Sequence, residues 1–416
     1  MTDKKSDLKM KKTQKKFKIG IFGAWRGASF IPIFESFDEL EVTAICDKSE
    51  ERMKKALDEL SHPVICCYDF DELLNSGIDA VMLCNYFHEH AECAIKALKR
   101  GIHVFSETMA APTPALCVAL CRAVEESGCV YMLAENYPFS RACTELTRVC
   151  KRGNLGEVVF AEGEYVHPMS PTDEARYGSP DVHGKYHWRR FLPSTFYSSH
   201  SLAPLMCATG LMPKRVIGKC APTTEEEMRN NNRLRGDAIG VMLVEMDNGA
   251  IFRISGSAYI ATHGNWYRVS GIKGTAETVR GESRKVRVHY NSWCVPEGEE
   301  RDSTYPVDFK TDRAKAARFG HGGGDYYVVK HFLRSLKSGK AYKPLDVYHA
   351  VAMAEVAIFG WRSAINGSKQ IKIPNFRLER VRKKWENDNL TPFPDENGNA
   401  SLPYTVHNSA LSKELL

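Results

Sequence analysis

Hydrophobic residues in the first third of the chain form short continuous runs separated by helically spaced ones. Five apolar runs rich in β-branched and aromatic residues predict strands at 18–22, 42–46, 80–84, 103–106 and 130–134. In the intervals apolar residues recur at i, i+4 and i+7, which predicts amphipathic helices: Met53, Leu57 and Leu60, then Ala91, Ile95 and Leu98. Strands that alternate with helices over short links predict a doubly wound parallel sheet, an α/β fold whose ligands bind at the carboxyl ends of the strands.

The pattern changes in the second half of the chain. Residues 238–261 form two extended runs around Asp247-Asn248-Gly249, a strong hairpin signal, and residues 267–279 and 286–290 add further extended segments. Consecutive strands joined by tight turns predict an α+β domain with a large, mostly antiparallel sheet. One face of such a sheet is often exposed as a subunit interface, so we expect a homo-oligomer formed through it.

Composition and charge narrow the class of protein. With 416 residues, 43% of them hydrophobic, the chain has room for two domains with ordinary cores. The net charge of +6 comes largely from a lysine-rich start, which predicts a disordered basic tail rather than an arm that binds nucleic acid. That start has no apolar core of the kind a secretory signal carries, and no apolar run approaches the roughly 20 residues of a membrane span.

Four segments are expected along the chain. They are a basic tail at 1–16, a cofactor-binding domain at 17–138, a substrate and oligomerisation domain at 139–376 and a C-terminal extension at 377–416. The thirteen cysteines include no Cys-x-x-Cys pair, so we expect buried free thiols in a reducing cytoplasm. His183 and His187 are spaced as in some zinc sites, but without a clear third ligand we expect no metal.

The first predicted strand leads into a glycine-containing turn, residues 23–29. Gly23 and Ala28 occupy the first and third small-residue positions of a dinucleotide fingerprint, but Trp25 stands where the middle glycine belongs. The second strand ends in Asp47, whose carboxylate can accept both hydroxyls of an adenosine ribose and would repel a 2′-phosphate. These residues predict a Rossmann domain that prefers NAD to NADP; the alternative is a sheet of this type that has lost its cofactor.

The stretch after the third predicted strand resembles the glucose–fructose oxidoreductase/inositol dehydrogenase/MocA (Gfo/Idh/MocA) family. Its members carry Pro-Asn-x-x-His, Gly-Lys-His-Val and Glu-Lys-Pro motifs, which this chain matches at Asn85, His88, Gly101, His103, Val104 and Glu107. Thr108 and Met109 replace the lysine and proline. The resemblance extends over residues 17–376. The cofactor-binding residues expected from the fingerprint and the resemblance together are Gly23, Trp25, Arg26, Asp47, Asn85, His88, Glu107 and Asn136.

The loss of the Glu-Lys-Pro lysine raises the question of which group handles protons. In ordinary members of the family that lysine acts beside an aspartate and a histidine four residues apart; here the corresponding positions are Phe196 and His200, and Tyr197 is a new neighbour. If Ser194 or Thr195 caps a helix, Tyr197 and His200 share one face near its start. A histidine there is a reasonable general base.

The Tyr-x-x-His-x-Leu-x-Pro pattern resembles the NAD-dependent glycosidases, such as glycoside hydrolase family 109. A following His-Gly-Gly-x-Asp-Tyr motif, which begins at His321 and ends at Tyr326, is shared with them. The resemblance implies transient oxidation at sugar carbon 3, removal of a proton from carbon 2, loss of the group on carbon 1, addition of water and final reduction. Catalytic candidates are His200, Tyr197 and Tyr326, and substrate-binding candidates are His167, His183, His187, Trp188 and Arg189, with base and acid unassigned.

Three functions remain open from the sequence. The first is redox-neutral cleavage of a glycoside, and the second is net dehydrogenation of a sugar or polyol, including formation of a 3-keto-glycoside. The third is a non-catalytic ligand sensor on the same fold. All three take a small carbohydrate as ligand, and neither nucleic acid nor a membrane is an expected partner.

Overall fold

The computed structural model describes residues 16–168, 170, 172, 186–222, 237–256, 263–395 and 397–406. The first half forms a six-stranded sheet in which every pair of neighbouring strands is parallel. Its strands are β1 Phe17–Phe22, β2 Leu40–Cys46, β3 Ile65–Cys67, β4 Ala80–Leu83, β5 His103–Ser106 and β6 Tyr131–Leu133, in the order β3-β2-β1-β4-β5-β6. The five predicted strands and the parallel α/β sheet are confirmed.

Strand β3 was not predicted; it is a three-residue edge strand in which Ile65 and Cys66 are exposed. The helices of the described residues are Ala24–Gly27, Ile31–Phe34, Glu50–Leu57, Phe70–Asn75, His90–Lys99, Pro114–Ser127, Arg141–Lys151, Ser199–Thr209, Arg313–Ala316, Gly324–Ser338, Val347–Ile365 and Glu379–Arg382. Short 3₁₀ turns lie at Ala28–Phe30, Tyr137–Phe139, Trp188–Phe191, His321–Gly323 and Lys343–Leu345. No helix in these ranges is both long and apolar enough to cross a membrane.

The second half forms a nine-stranded sheet that is antiparallel except where β7 and β10 run side by side. Its strands are β7 Val158–Val166, β8 Pro213–Ala221, β9 Ile239–Met246, β10 Ile251–Ser255, β11 Gly264–Gly271, β12 Gly274–Val279, β13 Glu282–Tyr290, β14 Asp302–Pro306 and β15 Ile371–Lys372. The order is β14-β13-β12-β11-β7-β10-β9-β8-β15. The predicted hairpin joins β9 to β10, with Gly249 at a φ of 91° that suits glycine.

One helix lies almost on the backbone of this sheet. A side chain at Gly163 of β7 would place its Cβ 2.0 Å from the carbonyl oxygen of Ser201, so only glycine lets the helix Ser199–Thr209 approach this closely. The Tyr267 hydroxyl donates to the carbonyl oxygen of His200 at 2.7 Å and fixes the first turn of that helix from β11. The sheet therefore positions His200.

The described part of the C-terminal extension returns to the first half of the chain. Arg382, whose side chain is buried, donates to both carboxylate oxygens of Glu125 at 2.6 and 2.5 Å. Arg122 donates to Glu379 and Glu386, and the carbonyl oxygen of Asp388 accepts from the helix 114–127. We call residues 377–406 the C-terminal strap, because they bridge the two halves.

All thirteen cysteines are free thiols in the structure. Seven are buried, and Cys66 is exposed on the edge strand, which departs from the expectation that the thiols are buried. Burial raises the pKa of Cys46, Cys93 and Cys220 to about 12, so these side chains are protonated at neutral pH.

Candidate active site

His200 lies in a buried pair with a carboxylate that the sequence did not single out. Both carboxylate oxygens of Glu135 are 2.8 Å from His200 Nδ1. Glu135 is fully buried, and His200 is 7% exposed. Because a carboxylate accepts, Nδ1 carries the proton, and a neutral His200 then presents the lone pair of Nε2 on the opposite edge of the ring. This arrangement is that of a histidine oriented as a general base.

Three tyrosine rings surround His200. Their centroids lie 4.7 Å (Tyr137), 4.5 Å (Tyr165) and 4.9 Å (Tyr197) from that of the imidazole. Tyr137 belongs to the turn after β6, Tyr165 to β7 and Tyr197 to the turn before the helix. Burial raises the pKa of Tyr137 and that of Tyr165, so both hydroxyls stay protonated at neutral pH.

The predicted contact of Tyr197 with His200 is present, but the predicted helix start is wrong. The helix begins at Ser199, and residues 194–198 form turns. The Ser194 hydroxyl donates to Cys220 and that of Thr195 to the carbonyl of Ala357, so neither hydroxyl caps the helix. Tyr197 thus approaches His200 from a turn instead of sharing a helical face.

Phe196, at the position of the family aspartate, is 1% exposed and packs edge-on against Phe393 of the C-terminal strap. It contributes apolar contact on the side of the site where the ordinary dehydrogenases have a carboxylate. The replacement removes a charge, and the strap covers the ring that took its place.

Four of the five predicted substrate-binding residues lie on described parts of the chain. Nδ1 of His167 is buried without a hydrogen-bond partner among the described residues, and burial together with the charge of Arg189 lowers the pKa of His167. Arg189 lies over the rings of Trp188 and Tyr197, with its Nη2 3.5 Å from the Tyr197 hydroxyl. Imidazole and guanidinium groups therefore reach the tyrosines beside His200.

Trp188 is less open than predicted. Its ring stacks on Phe87 at 4.7 Å, and the guanidinium of Arg189 lies over the same indole, 4.6 Å from its centroid. His187 packs edge-on against Tyr86 and caps the turn Trp188–Phe191. His183 lies outside the described residues. Among the residues that are described, no group of three His, Cys, Asp or Glu side chains is arranged to hold a metal.

The structure does not bring Tyr326 to the other catalytic candidates, which corrects the sequence prediction. Its ring is 2% exposed and is stacked on Phe37 at 4.9 Å and on Phe319 at 5.9 Å. Burial raises its pKa to about 12. The motif shared with the glycosidases placed Tyr326 in the site, but the side chain anchors the helix Gly324–Ser338 to the first sheet.

The turn after β1 has the geometry of a nucleotide-binding turn. Gly23 has a φ of 95°, and a Cβ there would lie 2.4 Å from the carbonyl oxygen of Cys84, so only glycine fits. Asp47 accepts from the backbone amides of Ala24 and Ser49 at 2.8 and 2.9 Å, which holds the turn against the end of β2. Trp25 is half exposed beside Arg52, so its indole is not part of the core.

Arg26 links this turn to both halves of the molecule. Its Nε donates to Glu107 at 2.7 Å and its Nη2 to Asp325 at 3.3 Å. Burial alone would raise the pKa of Asp325, but hydrogen bonds from His321 and Asn136 and the charge of Arg26 lower it to about 2. The predicted cofactor residues Arg26, Glu107 and Asn136 therefore form one network.

Several buried polar atoms lie just after the carboxyl ends of strands β4 and β6. The side-chain oxygens of Asn85 and Asn136 and Nδ1 of His88 are buried and have no hydrogen bond within the part of the chain that the structure describes. Burial, then the neighbouring His90, lowers the pKa of His88 to about 4, and the ring stacks on Phe393 of the strap at 4.8 Å. His90, which sequence reasoning missed, has one ring nitrogen 3.2 Å from the carbonyl oxygen of Met109 and the other 3.3 Å from that of Asn85. Burial lowers its pKa, so the neutral ring donates to one of the two.

Two protein families match parts of the chain. Residues 17–135 match the Gfo/Idh/MocA oxidoreductase family with its NAD-binding Rossmann fold, and residues 235–387 match the C-terminal domain of glycosyl hydrolase family 109. The two matches fall on the first sheet and on the second.

Curated relatives resemble the chain over most of its length. A glycosyl hydrolase family 109 protein of Stenotrophomonas maltophilia is 23% identical, with 87% of this chain and 89% of the relative covered. An alpha-N-acetylgalactosaminidase of Shewanella oneidensis is 22% identical, with 89% and 86% covered. These proteins carry the glycosidase resemblance through both halves.

Solved structures share the fold at lower identity. An oxidoreductase domain protein from Kribbella flavida superposes with a TM-score of 0.73 at 19% identity, with 87% of this chain and 100% of the other covered. A levoglucosan dehydrogenase in complex with NADH and L-sorbose has a TM-score of 0.72 at 16% identity, with the same coverage.

The residues present fit the NAD of this family. Gly23 forms the tight turn after β1 at which this fold binds a pyrophosphate, and Asp47 stands at the end of the second strand. The side-chain oxygens of Asn85 and Asn136 are buried without a hydrogen bond from the residues that the structure describes. The first sheet has the Rossmann strand order, glycine stands at the tight turn after β1, and similarity to known proteins extends along both halves. The chain is therefore an NAD-dependent enzyme whose residues 17–135 match the Gfo/Idh/MocA oxidoreductase family.

Proposed function

We propose that this enzyme cleaves a glycoside without net oxidation, with His200 as the base that removes the proton from sugar carbon 2. The observation that carries this proposal is the buried His200–Glu135 pair inside three tyrosines. Similarity along both halves to glycosyl hydrolase family 109 proteins supports the same reaction.

Glu135 keeps His200 ready for this step. Glu135 accepts a hydrogen bond from Nδ1–H, which leaves Nε2 of the neutral ring without a proton. When the imidazole takes up the substrate proton and becomes cationic, the adjacent carboxylate stabilises its charge. Burial of both groups limits competition from water for these contacts. Glu135 is thus a positioning residue, and His200 is the group that meets the substrate.

The tyrosines and the rim hold the sugar. In this proposal the protonated hydroxyls of Tyr137 and Tyr165 donate to oxygens of the sugar. Arg189 and His167 lie beside these tyrosines and add further polar contacts. The aromatic rings also offer the apolar faces on which sugars stack. These contacts place the hydrogen of carbon 2 next to His200 Nε2.

NAD, when bound, supplies reversible oxidation of the neighbouring ring hydroxyl, which makes the hydrogen on carbon 2 acidic. The residues expected to hold it are Gly23, Trp25, Arg26, Asp47, Asn85, His88, Glu107 and Asn136. Thr108 and Met109 follow Glu107 and are nearly buried, with 5% and 2% of their surface exposed. Neither side chain takes up a proton, which supports the assignment of this role to His200.

The test uses the purified enzyme with a panel of 4-nitrophenyl α- and β-glycosides, including the N-acetyl-α-galactosaminide. We expect release of nitrophenolate without a sustained rise of NADH absorbance. Products formed in heavy water are expected to carry deuterium at carbon 2, because that carbon loses and regains a proton. Turnover without deuterium at carbon 2 would refute the proposal.

Net dehydrogenation of a sugar is the second candidate. A neutral His200 at the same place also accepts the proton of a hydroxyl, which a dehydrogenase requires. Free sugars with NAD⁺ separate the two reactions. Stoichiometric and continuing formation of NADH, with no cleavage of any glycoside in the panel, is the result that favours the dehydrogenase.

A further inference from the structure

Asn265 lies on the face of the second sheet that carries His200. It is the second residue of β11 and pairs with Tyr165 of β7, and paired side chains stand on the same face of a sheet. The ring centroid of Tyr165 is 4.5 Å from that of His200. Two positions further along β11, Tyr267 donates from the same face to the carbonyl oxygen of His200. The Asn265 side chain therefore points towards the surroundings of the proposed base.

The amide of Asn265 has one half engaged and one half without a partner. Burial raises the pKa of Tyr137, and a hydrogen bond from Asn265 to the Tyr137 hydroxyl works against that rise. The NH₂ group of the amide is thus turned to Tyr137, and the oxygen Oδ1 faces away from it. This oxygen is buried and accepts no hydrogen bond from the residues that the structure describes. Asn265 therefore offers an acceptor of fixed orientation.

Neither the strand nor the packing around it calls for asparagine at this position. Asparagine is depleted in strands, where β-branched and aromatic residues are favoured opposite a residue such as Tyr165. A buried acceptor without a donor is also uncommon in a folded protein, because the atom has lost its hydrogen bonds to water. An asparagine that is unfavourable on both counts indicates a ligand that donates to its oxygen.

A second unpartnered atom lies close by. His167 follows β7, two positions after Tyr165, and its Nδ1 is buried without a hydrogen bond to the described residues. The ring centroid of His167 is 5.9 Å from that of Tyr165 and 5.3 Å from that of His263, which comes two positions before Asn265. The end of β7 and the start of β11 thus bring two unpartnered polar atoms to the surroundings of Tyr165.

The hydroxyls of a sugar match the chemistry of this place. A hydroxyl both donates and accepts, so one hydroxyl can donate to Asn265 Oδ1 while it accepts from a neighbouring tyrosine. The amide oxygen only accepts. A hydrogen, or a fluorine that cannot donate, leaves it without a partner, so the site distinguishes a hydroxyl from these two substituents.

We propose that Asn265 is a specificity-determining residue, whose Oδ1 accepts a hydrogen bond from one hydroxyl of the sugar and selects substrates that carry a free hydroxyl at that position. This inference rests on the proposed function, but only on its need for a sugar beside His200. Asn265 takes no part in proton transfer, and the base remains His200.

The test is a calorimetric titration of the NADH-loaded enzyme with one sugar and with its monodeoxy and monofluoro analogues, altered at each hydroxyl in turn. The parent is the sugar on which the enzyme is most active, whether it releases nitrophenolate or forms NADH. We expect the analogues altered at one position to bind the unaltered enzyme about 5 to 100-fold more weakly than the parent, as for a buried acceptor left unpaired.

Two variants assign that loss to the amide oxygen. Asn265→Leu keeps the size of the side chain without an acceptor, so parent and analogues altered at that position should bind with nearly equal affinity, while discrimination at the other positions remains. Asn265→Asp keeps an acceptor oxygen and should retain the discrimination. The matched control is Asn291→Leu, because Asn291 donates to the carbonyl of Ile272 at an exposed end of the sheet. Thermal unfolding and NADH titration establish that each variant is folded and binds cofactor.

A loss in Asn265→Leu that is equal for the parent and for every analogue would show a merely structural role and overturn the inference. Unchanged ratios at every position in this variant would overturn it as well, and in both cases the proposed function stands. An unaltered enzyme that binds no sugar and acts on no glycoside would instead overturn the proposed function, and the role of Asn265 with it. The failures are distinct, because the first two are seen with an unaltered enzyme that is active.

Discussion

His200 Nδ1 and the carboxylate of Glu135 form the most deeply buried histidine–acid pair among the described residues, with both oxygens at 2.8 Å. The partners come from segments 65 positions apart, one at the end of the first sheet and one on a helix carried by the second. The pair therefore forms only when both halves are in place.

Glu135→Gln tests this pair. The amide keeps the size of the side chain but removes the charge that stabilises cationic His200, so kcat is expected to fall on the order of 10² to 10⁴-fold. Steady-state kinetics over a range of pH measure the loss, and NADH titration should give an unchanged affinity. Glu39→Gln, at a half-exposed ion pair with Lys337, is the matched control. A variant with full activity would remove Glu135 from the mechanism.

Asp47→Asn tests the cofactor preference. Without the charge, the hydrogen bonds to the ribose hydroxyls weaken, and NAD affinity is expected to drop by about 1 to 3 kcal/mol. The gap between NADH and NADPH should narrow, because the repulsion of a 2′-phosphate is lost. Fluorescence titrations with both cofactors measure this change, with the exposed Asp58→Asn as control. Tighter binding of NADPH than NADH by the unaltered protein would refute the assignment.

Trp25 is expected to lie against the bound cofactor. Its half-exposed indole follows the nucleotide turn directly, so NADH should quench its emission. The measurement is the fraction of tryptophan fluorescence lost on NADH addition, compared between the unaltered protein and Trp25→Phe. Trp293→Phe, at an indole 80% exposed, is the control. Identical quenching in all three proteins would place Trp25 away from the cofactor.

Glu355 gives a prediction about stability and pH. It is 1% exposed, one of its oxygens has no hydrogen bond to the described residues, and burial raises its pKa well above the ordinary value near 4.5. The unfolded chain releases this proton above that value and the folded chain does not. The contribution of Glu355 to the free energy of unfolding therefore falls as pH rises, by about 1.4 kcal/mol per pH unit, until the carboxyl group ionises in the folded protein.

Glu355→Met is accordingly expected to stabilise the protein at pH 8 by about 1 to 3 kcal/mol, and by less at pH 5. Urea unfolding at the two pH values measures the difference. Glu126→Met, at an exposed carboxylate, should show no such dependence. A variant that is equally destabilised at both values would mean that the carboxyl group has a structural partner.

Arg382→Met tests the C-terminal strap. The substitution keeps a long apolar side chain but removes the hydrogen bonds to Glu125 and to the carbonyl of Phe376, so unfolding free energy should fall by about 1.5 to 3 kcal/mol. The exposed Arg380→Met serves as control. Equal stability of the two variants would show that the strap is held by its apolar contacts instead.

The first sheet was predictable because its inner strands, such as Ala80–Leu83, are buried on both faces and appear in the sequence as continuous apolar runs. The edge strand at Ile65 is largely exposed, and it was missed. His200 and Tyr197 were predictable from their local motif. Glu135 was not, since nothing in the run around it indicates a partner 65 positions away. The prediction for Tyr326 was wrong because a shared motif shows only that residues are neighbours in the sequence. The ring of Tyr326 turns into the core.

The C-terminal strap has a consequence for the order of assembly during synthesis. Phe393 covers His88 and Phe196, so the wall behind both the cofactor edge and the base is completed by residues made after the two sheets. A nascent chain with both sheets folded still exposes those rings. The two rings are therefore covered only after the strap has been made, and a chain interrupted between the second sheet and the strap leaves them open to solvent.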